Sequence, residues 1–132
     1  MSSSTFDINS NEYPTVKQFY DQQCVLVTGA TGCVGRMLVY RLLKTTNVAR
    51  IYIICRQKKG LQVEARLEKY LASEIFDHLP DKHHLLRKIT VIEGDVTLDC
   101  VGVSATDLPT IARDVRAVFH TAASINLQQS LK

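Results

Sequence analysis

The chain has 132 residues, 45% of them hydrophobic and 22% charged, the composition of one ordinary globular domain. That excludes a disordered tail, a collagenous repeat and a disulfide-dense miniprotein, and no run approaches the ~20 apolar residues of a membrane span. The net charge of +3 is small and its basic residues are not interleaved with aromatics, which argues against a nucleic-acid partner. The opening MSSSTFDINS lacks the basic-then-apolar run of a secretory signal. Ser130-Leu131-Lys132 permutes the peroxisomal Ser-Lys-Leu address without matching it. An intracellular, soluble chain is expected. Cys24, Cys33, Cys55 and Cys100 show neither Cys-x-x-Cys spacing nor a histidine at finger distance, so reduced thiols are expected rather than a zinc site.

Residues 1–22 are polar and interrupted by Pro14, and are expected to form a loosely packed arm ahead of a domain over 23–132. Cys24-Val25-Leu26-Val27 is a continuous apolar run, the pattern of a strand buried on both faces. Val34, Met37, Leu38 and Leu42 recur at helical spacing, with Arg36, Tyr40 and Lys44 on the opposite side. Ile51 to Cys55 is a second buried strand, and Val63, Leu67, Leu71 and Ile75 predict a second helix over 62–76. Ile89 to Ile92 is a third strand. Thr106 is placed to cap a short helix ending near Arg113 with Pro109 in its first turn, and Val115 to His120 is a fourth strand. Strands alternating with helices predict an α/β fold on a parallel sheet, doubly wound, with its first four strands in the order 3-2-1-4. The connection from Arg56 to Lys88 is long for one crossover, so extra structure is expected beyond the second helix.

Two motifs carry chemistry. Thr28-Gly29-Ala30-Thr31-Gly32-Cys33-Val34-Gly35 leaves the first strand and opens the first helix. Gly29 permits a sharp turn, Gly32 lets the backbone approach a phosphate, and Gly35 lets helix pack on sheet. The free N–H groups and dipole of that helix start favour a pyrophosphate, so a dinucleotide is expected here. Cys33 lies in the same loop, where a helix start favours thiolate, but a space-filling role is the simpler expectation. The second motif ends the second strand. A chain built for NAD carries an acid there to hold the ribose hydroxyls. This one has Arg56, 21 residues after Gly35, then Lys58 and Lys59. From Arg36 to Arg66 there are eight basic side chains and a single acid, Glu64. A guanidinium can grip a ribose 2′-phosphate that an acid would repel, and NADPH is the expected cofactor.

The Thr-Gly-x-x-Gly-x-x-Gly turn resembles that of the extended short-chain dehydrogenase/reductases. Within these, Arg56 to Gly60, Val63 to Leu67 and Ile75-Phe76-Asp77, followed by Glu93 to Thr97 and Val118 to Ala123, are similar to the N-terminal part of the fatty acyl-CoA reductases. The resemblance covers residues 15–132. It implies a Rossmann domain and the NADPH-dependent reduction of a fatty acyl-CoA to the alcohol. It further implies that Thr28, Gly29, Thr31, Gly32, Cys33, Val34 and Gly35 hold the pyrophosphate, and that Arg56, with Lys59, holds the 2′-phosphate. Asp95 and Val96 would border the adenine, and Ala122 and Ala123 would line the cofactor. Asp95 alone also suits a strand-ending turn, and His120 a satisfied strand-end histidine without chemistry. The family often has an aromatic where Cys33 stands. Its catalytic Tyr-x-x-x-Lys, its acyl-binding region and its membrane-associated part, which suggests a peroxisomal or endoplasmic-reticulum setting, are expected beyond residue 132. The chain is thus expected to be the cofactor-binding half of such an enzyme. Another extended reductase, or a non-catalytic NADPH sensor, are the competing readings.

Overall fold

Apolar runs that are buried on both sides make the centre of the sheet. The computed structural model describes residues 13–56 and 62–123. In it β1 (Cys24–Thr28) and β2 (Arg50–Cys55) are buried almost throughout, as continuous runs of Val, Ile and Leu require in a covered parallel sheet. With β3 (Ile89–Glu93) and β4 (Val115–His120) they form a parallel sheet ordered β3-β2-β1-β4. Val25 pairs with Ile51 on one side and Ala117 on the other, and Ile53 pairs with Val91. This is the 3-2-1-4 order that the alternation predicts.

Two cores sandwich the sheet. On one face Val25, Val27, Ile51 and Ile53 meet α2 (Cys33–Thr45) and α3 (Val63–Leu71), with Val39, Leu43, Tyr70 and Phe76 buried between. Each such side chain stabilises the fold by about 1.5–3 kcal/mol when fully buried. On the other face Leu26, Tyr52, Ile54 and Ile92 gather half-buried Val101, Val103 and Ile111, the last from α5 (Leu108–Asp114).

Several elements depart from the expected pattern. Part of the supposed arm is α1 (Val16–Tyr20), started by a reciprocal cap in which the Thr15 hydroxyl accepts from the Gln18 N–H and the Gln18 side chain accepts from the Thr15 N–H. Tyr20 then packs on the core, its ring 6.0 Å from that of Phe119, and Arg116 lies over Phe19. The buried face of α2 is Gly35, Val39, Leu42 and Leu43, while Val34 and Met37 are 69% and 48% exposed. Tyr40 is half-buried against the core rather than on a polar face. The helix expected over 62–76 stops at Leu71, and a 3-10 turn, Glu74–His78, redirects the chain so that Phe76 is fully buried. The extra structure after it is α4 (Lys82–Leu86). Thr106 does not cap α5. Asp107 holds that position, and its N–H and carboxylate are engaged by the Ser104 hydroxyl. Pro109 does fall in the first turn, as expected. Among the described residues no helix is long and apolar enough to cross a membrane, and no group of three or more histidine, cysteine or acidic side chains could hold a metal ion.

Candidate functional site

The carboxyl ends of the four strands point the same way, and the sequence-predicted residues follow those ends. β1 stops at Thr28, and Gly29 turns the chain with φ +67°, a conformation that glycine adopts freely. A Cβ on Gly29 would lie 2.5 Å from the Ala122 nitrogen, and one on Gly35 would lie 2.1 Å from the Gly29 carbonyl oxygen. Both glycines therefore serve close packing of backbone on backbone. A Cβ on Gly32 would approach only the Gly29 oxygen, at 3.3 Å. The remaining side of Gly32 is open, as an approaching phosphate would need.

The helix start supplies the donors. Gly32 is the N-cap of α2, no side chain caps it, and no acid stands in the first turn. Its own N–H donates to the Gly29 carbonyl (3.0 Å), and its carbonyl accepts from the Arg36 N–H (3.0 Å). The N–H groups of the following residues, with the dipole of a 13-residue helix behind them, are left for an anion. Cys33 and Val34 are exposed there. An uncapped helix start, an open Gly32 and basic surroundings fit a pyrophosphate.

Around this turn the end of β4 closes in. Thr28 is buried, and its hydroxyl is hydrogen-bonded to His120 Nδ1 at 2.7 Å. The Thr28 carbonyl accepts from both the hydroxyl and the N–H of Thr121. Thr28 thus staples β4 to β1 and acts through position. His120 is satisfied by it, as expected of a strand-end histidine. Ala122 is half-buried beside Gly29 and Ala123 is exposed. After β3, Asp95 turns the chain, its Oδ1 accepting from the Thr97 N–H (2.9 Å) and hydroxyl (2.7 Å), while Val96 is 43% exposed. The Asp95 N–H donates to the Val101 carbonyl (2.8 Å), held by a left-handed run at Cys100, Val101 and Gly102.

Arg56 follows β2 immediately and is exposed. Lys59 lies outside the described residues. Three residues that the sequence reading missed join the site. Arg66, on the first turns of α3, donates to the Arg56 carbonyl, which brings a second guanidinium to the end of β2. Arg36 reaches back from α2 to the Thr31 carbonyl (3.0 Å) and lies over the ring of Tyr70. Among the described residues none of these arginines is paired with a carboxylate. Their signal in the sequence was position alone: Arg36 directly after Gly35, and Arg66 ten residues after Arg56. Burial pushes the Cys55 thiol up, with the Arg66 charge opposing, and burial likewise raises Cys24. Cys55 is buried in the core and Cys24 is half-buried against the opposite cluster.

An NAD-binding family model, described as male sterility protein, matches residues 27–132. The chain belongs to this family. It is 41% identical over 120 residues to CG8306 of Drosophila melanogaster, a candidate fatty acyl-CoA reductase. It is 32% identical over 120 residues to fatty acyl-CoA reductase 1 of Mus musculus. Each match covers 89% of this chain and 23% of the relative, so the chain spans about a quarter of the length of these proteins. Among solved structures, the reductase domain of a non-ribosomal peptide synthetase from Mycobacterium tuberculosis superposes with a TM-score of 0.63 at 28% identity. The terminal reductase domain of the myxalamid pathway does so with 0.62 at 27%. Both cover 80% of this chain and about a quarter of the other. The family member described above thus carries the nicotinamide-dinucleotide-binding fold of reductases.

Proposed function

We propose that the chain is the NADPH-binding portion of a fatty acyl-CoA reductase that converts long-chain acyl-CoA to the fatty alcohol. The observation that carries the cofactor choice is the end of β2, where the Arg66 guanidinium donates to the backbone carbonyl of Arg56 and neither arginine is paired with a carboxylate among the described residues. A ribose 2′-phosphate is a dianion that such a pair can hold in a fork, whereas the free hydroxyls of NADH need an acceptor there. Gly32 and the start of α2 would hold the pyrophosphate. Asp95 and Val96 would border the adenine, and Ala122 and Ala123 would line the wall toward β4. Each NADPH held there would supply one hydride, so reduction of a thioester to the alcohol, with release of CoA, would consume two of them in turn, and the residues named here would bind and orient each one. The substrate class rests on the relatives named above, which are described as fatty acyl-CoA reductases.

Fluorescence titration of the chain and of Arg56→Asp with NADPH and NADH tests the cofactor choice. One charge-assisted hydrogen bond is worth roughly 1.5–3 kcal/mol, so the wild type should prefer NADPH by about tenfold or more, and the variant should lose that preference. An NADPH/NADH affinity ratio that the substitution leaves unchanged sinks the assignment.

A further inference from the structure

Arg36 stands one residue past the last glycine of the turn, on the first turns of α2. A long cationic side chain at such a place ordinarily runs out to water. This one is turned inward and half-buried. Its Nη2 donates to the Thr31 carbonyl at 3.0 Å, its Cζ lies 5.6 Å from the centre of the Tyr70 ring, and its Nε is buried without a partner among the described residues. Tyr70 is 3% exposed and its ring meets that of Phe76 edge-on at 5.3 Å. Phe76 is fully buried. The guanidinium therefore bridges two parts of the fold: the glycine turn on one side, and α3 with its 3-10 turn on the other.

The consequence for the turn follows from peptide planarity. The Thr31 carbonyl and the Gly32 N–H belong to one rigid plane. Arg36 holds the oxygen of that plane and the Gly29 carbonyl accepts from its N–H (3.0 Å). Fixed at both ends, the plane cannot flip, although it joins a segment flanked by glycines whose dihedrals are otherwise free. We propose that Arg36 is a positioning residue that fastens the glycine turn to α3 through Tyr70, so that the segment between β2 and β3 presets the pyrophosphate site. The ring of Tyr70 is the anchor; its hydroxyl is not. This rests on the dinucleotide reading above for its benefit to binding, since a donor set fixed in advance loses less entropy when the ligand arrives.

The test uses the full chain with Arg36→Met, Tyr70→Leu and Tyr70→Phe. Amide hydrogen exchange without ligand should accelerate about tenfold at residues 29–36 in the first two variants relative to the amides of β1, and stay at the wild-type rate in Tyr70→Phe. Titration should show NADPH weakened about tenfold in Arg36→Met and Tyr70→Leu, the scale of one lost charge-assisted contact. Adenosine 2′-monophosphate, which carries the adenine and the 2′-phosphate but no pyrophosphate, should bind within about twofold of wild type in all three. Exchange unchanged in Arg36→Met, or parallel weakening of both ligands, overturns the fastening. A wild-type chain that binds neither ligand overturns the dinucleotide reading instead, and the exchange rates at 29–36 still decide whether Arg36 holds the turn.

Discussion

Tyr70 shows how a single residue can serve the site at a cost to stability. Its hydroxyl is buried and has no partner among the described residues. Burial pushes its phenol well above the ordinary value of 10, with Arg36 opposing and Cys55 adding to the rise. A folded state that keeps a proton longer than the unfolded chain loses stability as pH climbs above that ordinary value, because only the unfolded form gains by releasing it. Tyr70→Phe should remove this part of the loss. It should also raise stability near neutral pH by about 1 kcal/mol, since an unsatisfied buried hydroxyl disappears. Urea unfolding at about pH 7 and about pH 11 checks both signs. A variant less stable than wild type at neutral pH, or equally sensitive to alkali, contradicts them. At this scale the sequence was legible where backbone geometry dictates residue type. Gly29 and Gly35 sit where a side chain would strike backbone within 2.5 Å. It was not legible for Arg36, Arg66 and Tyr70, because a basic or aromatic side chain in a helix carries no mark of which way it turns.

At the scale of elements, β1 and β2 were plain because burial on both faces leaves no polar position to confuse the reading. The face of α2 was harder. Of the expected stripe, Leu38 and Leu42 do reach the core, beside Val39 and Leu43, while Val34 and Met37 stay exposed, and the close approach at Gly35 fixes that rotation. The break after Leu71 depends on the tertiary packing of Phe76, which periodicity does not report, whereas the cap of α1 is a local Thr15-x-x-Gln18 pattern that the sequence carries openly. β4 is the opposite of β1: its residues alternate between half-buried and exposed, Val118 is 60% exposed, and one long side of the strand has no neighbour among the described residues. An apolar residue on such an edge invites other chains. Val118→Lys should leave stability within about 0.5 kcal/mol, as for most surface substitutions, while reducing concentration-dependent self-association of the chain. Light scattering across a dilution series measures this. Association that is unchanged by the lysine would place the sticky surface elsewhere.

For the molecule as a whole, the proposed cofactor crevice has no tyrosine–lysine pair beside it among the described residues. In the resembled reductases a tyrosine protonates the carbonyl while a lysine four residues on lowers its pKa from roughly 10. The sequence contains that spacing twice, and the structure places neither pair at the crevice. Tyr13 is 95% exposed ahead of α1, and Pro14 keeps it out of the helix that carries Lys17. Tyr40 and Lys44 share α2, but Tyr40 lies eight residues past Gly32, roughly 12 Å along the axis at 1.5 Å per residue. Its ring is half-buried on the core with the Lys44 ammonium 5.6 Å from its centre. That ammonium stacks on the ring in a surface contact of the helix. The purified chain incubated with NADPH and a long-chain acyl-CoA should therefore bind cofactor yet consume none of it and form no alcohol. NADPH absorbance and product analysis follow both quantities. Turnover that Tyr40→Phe or Tyr13→Phe abolishes would show that one of these pairs reaches the reacting carbonyl after all.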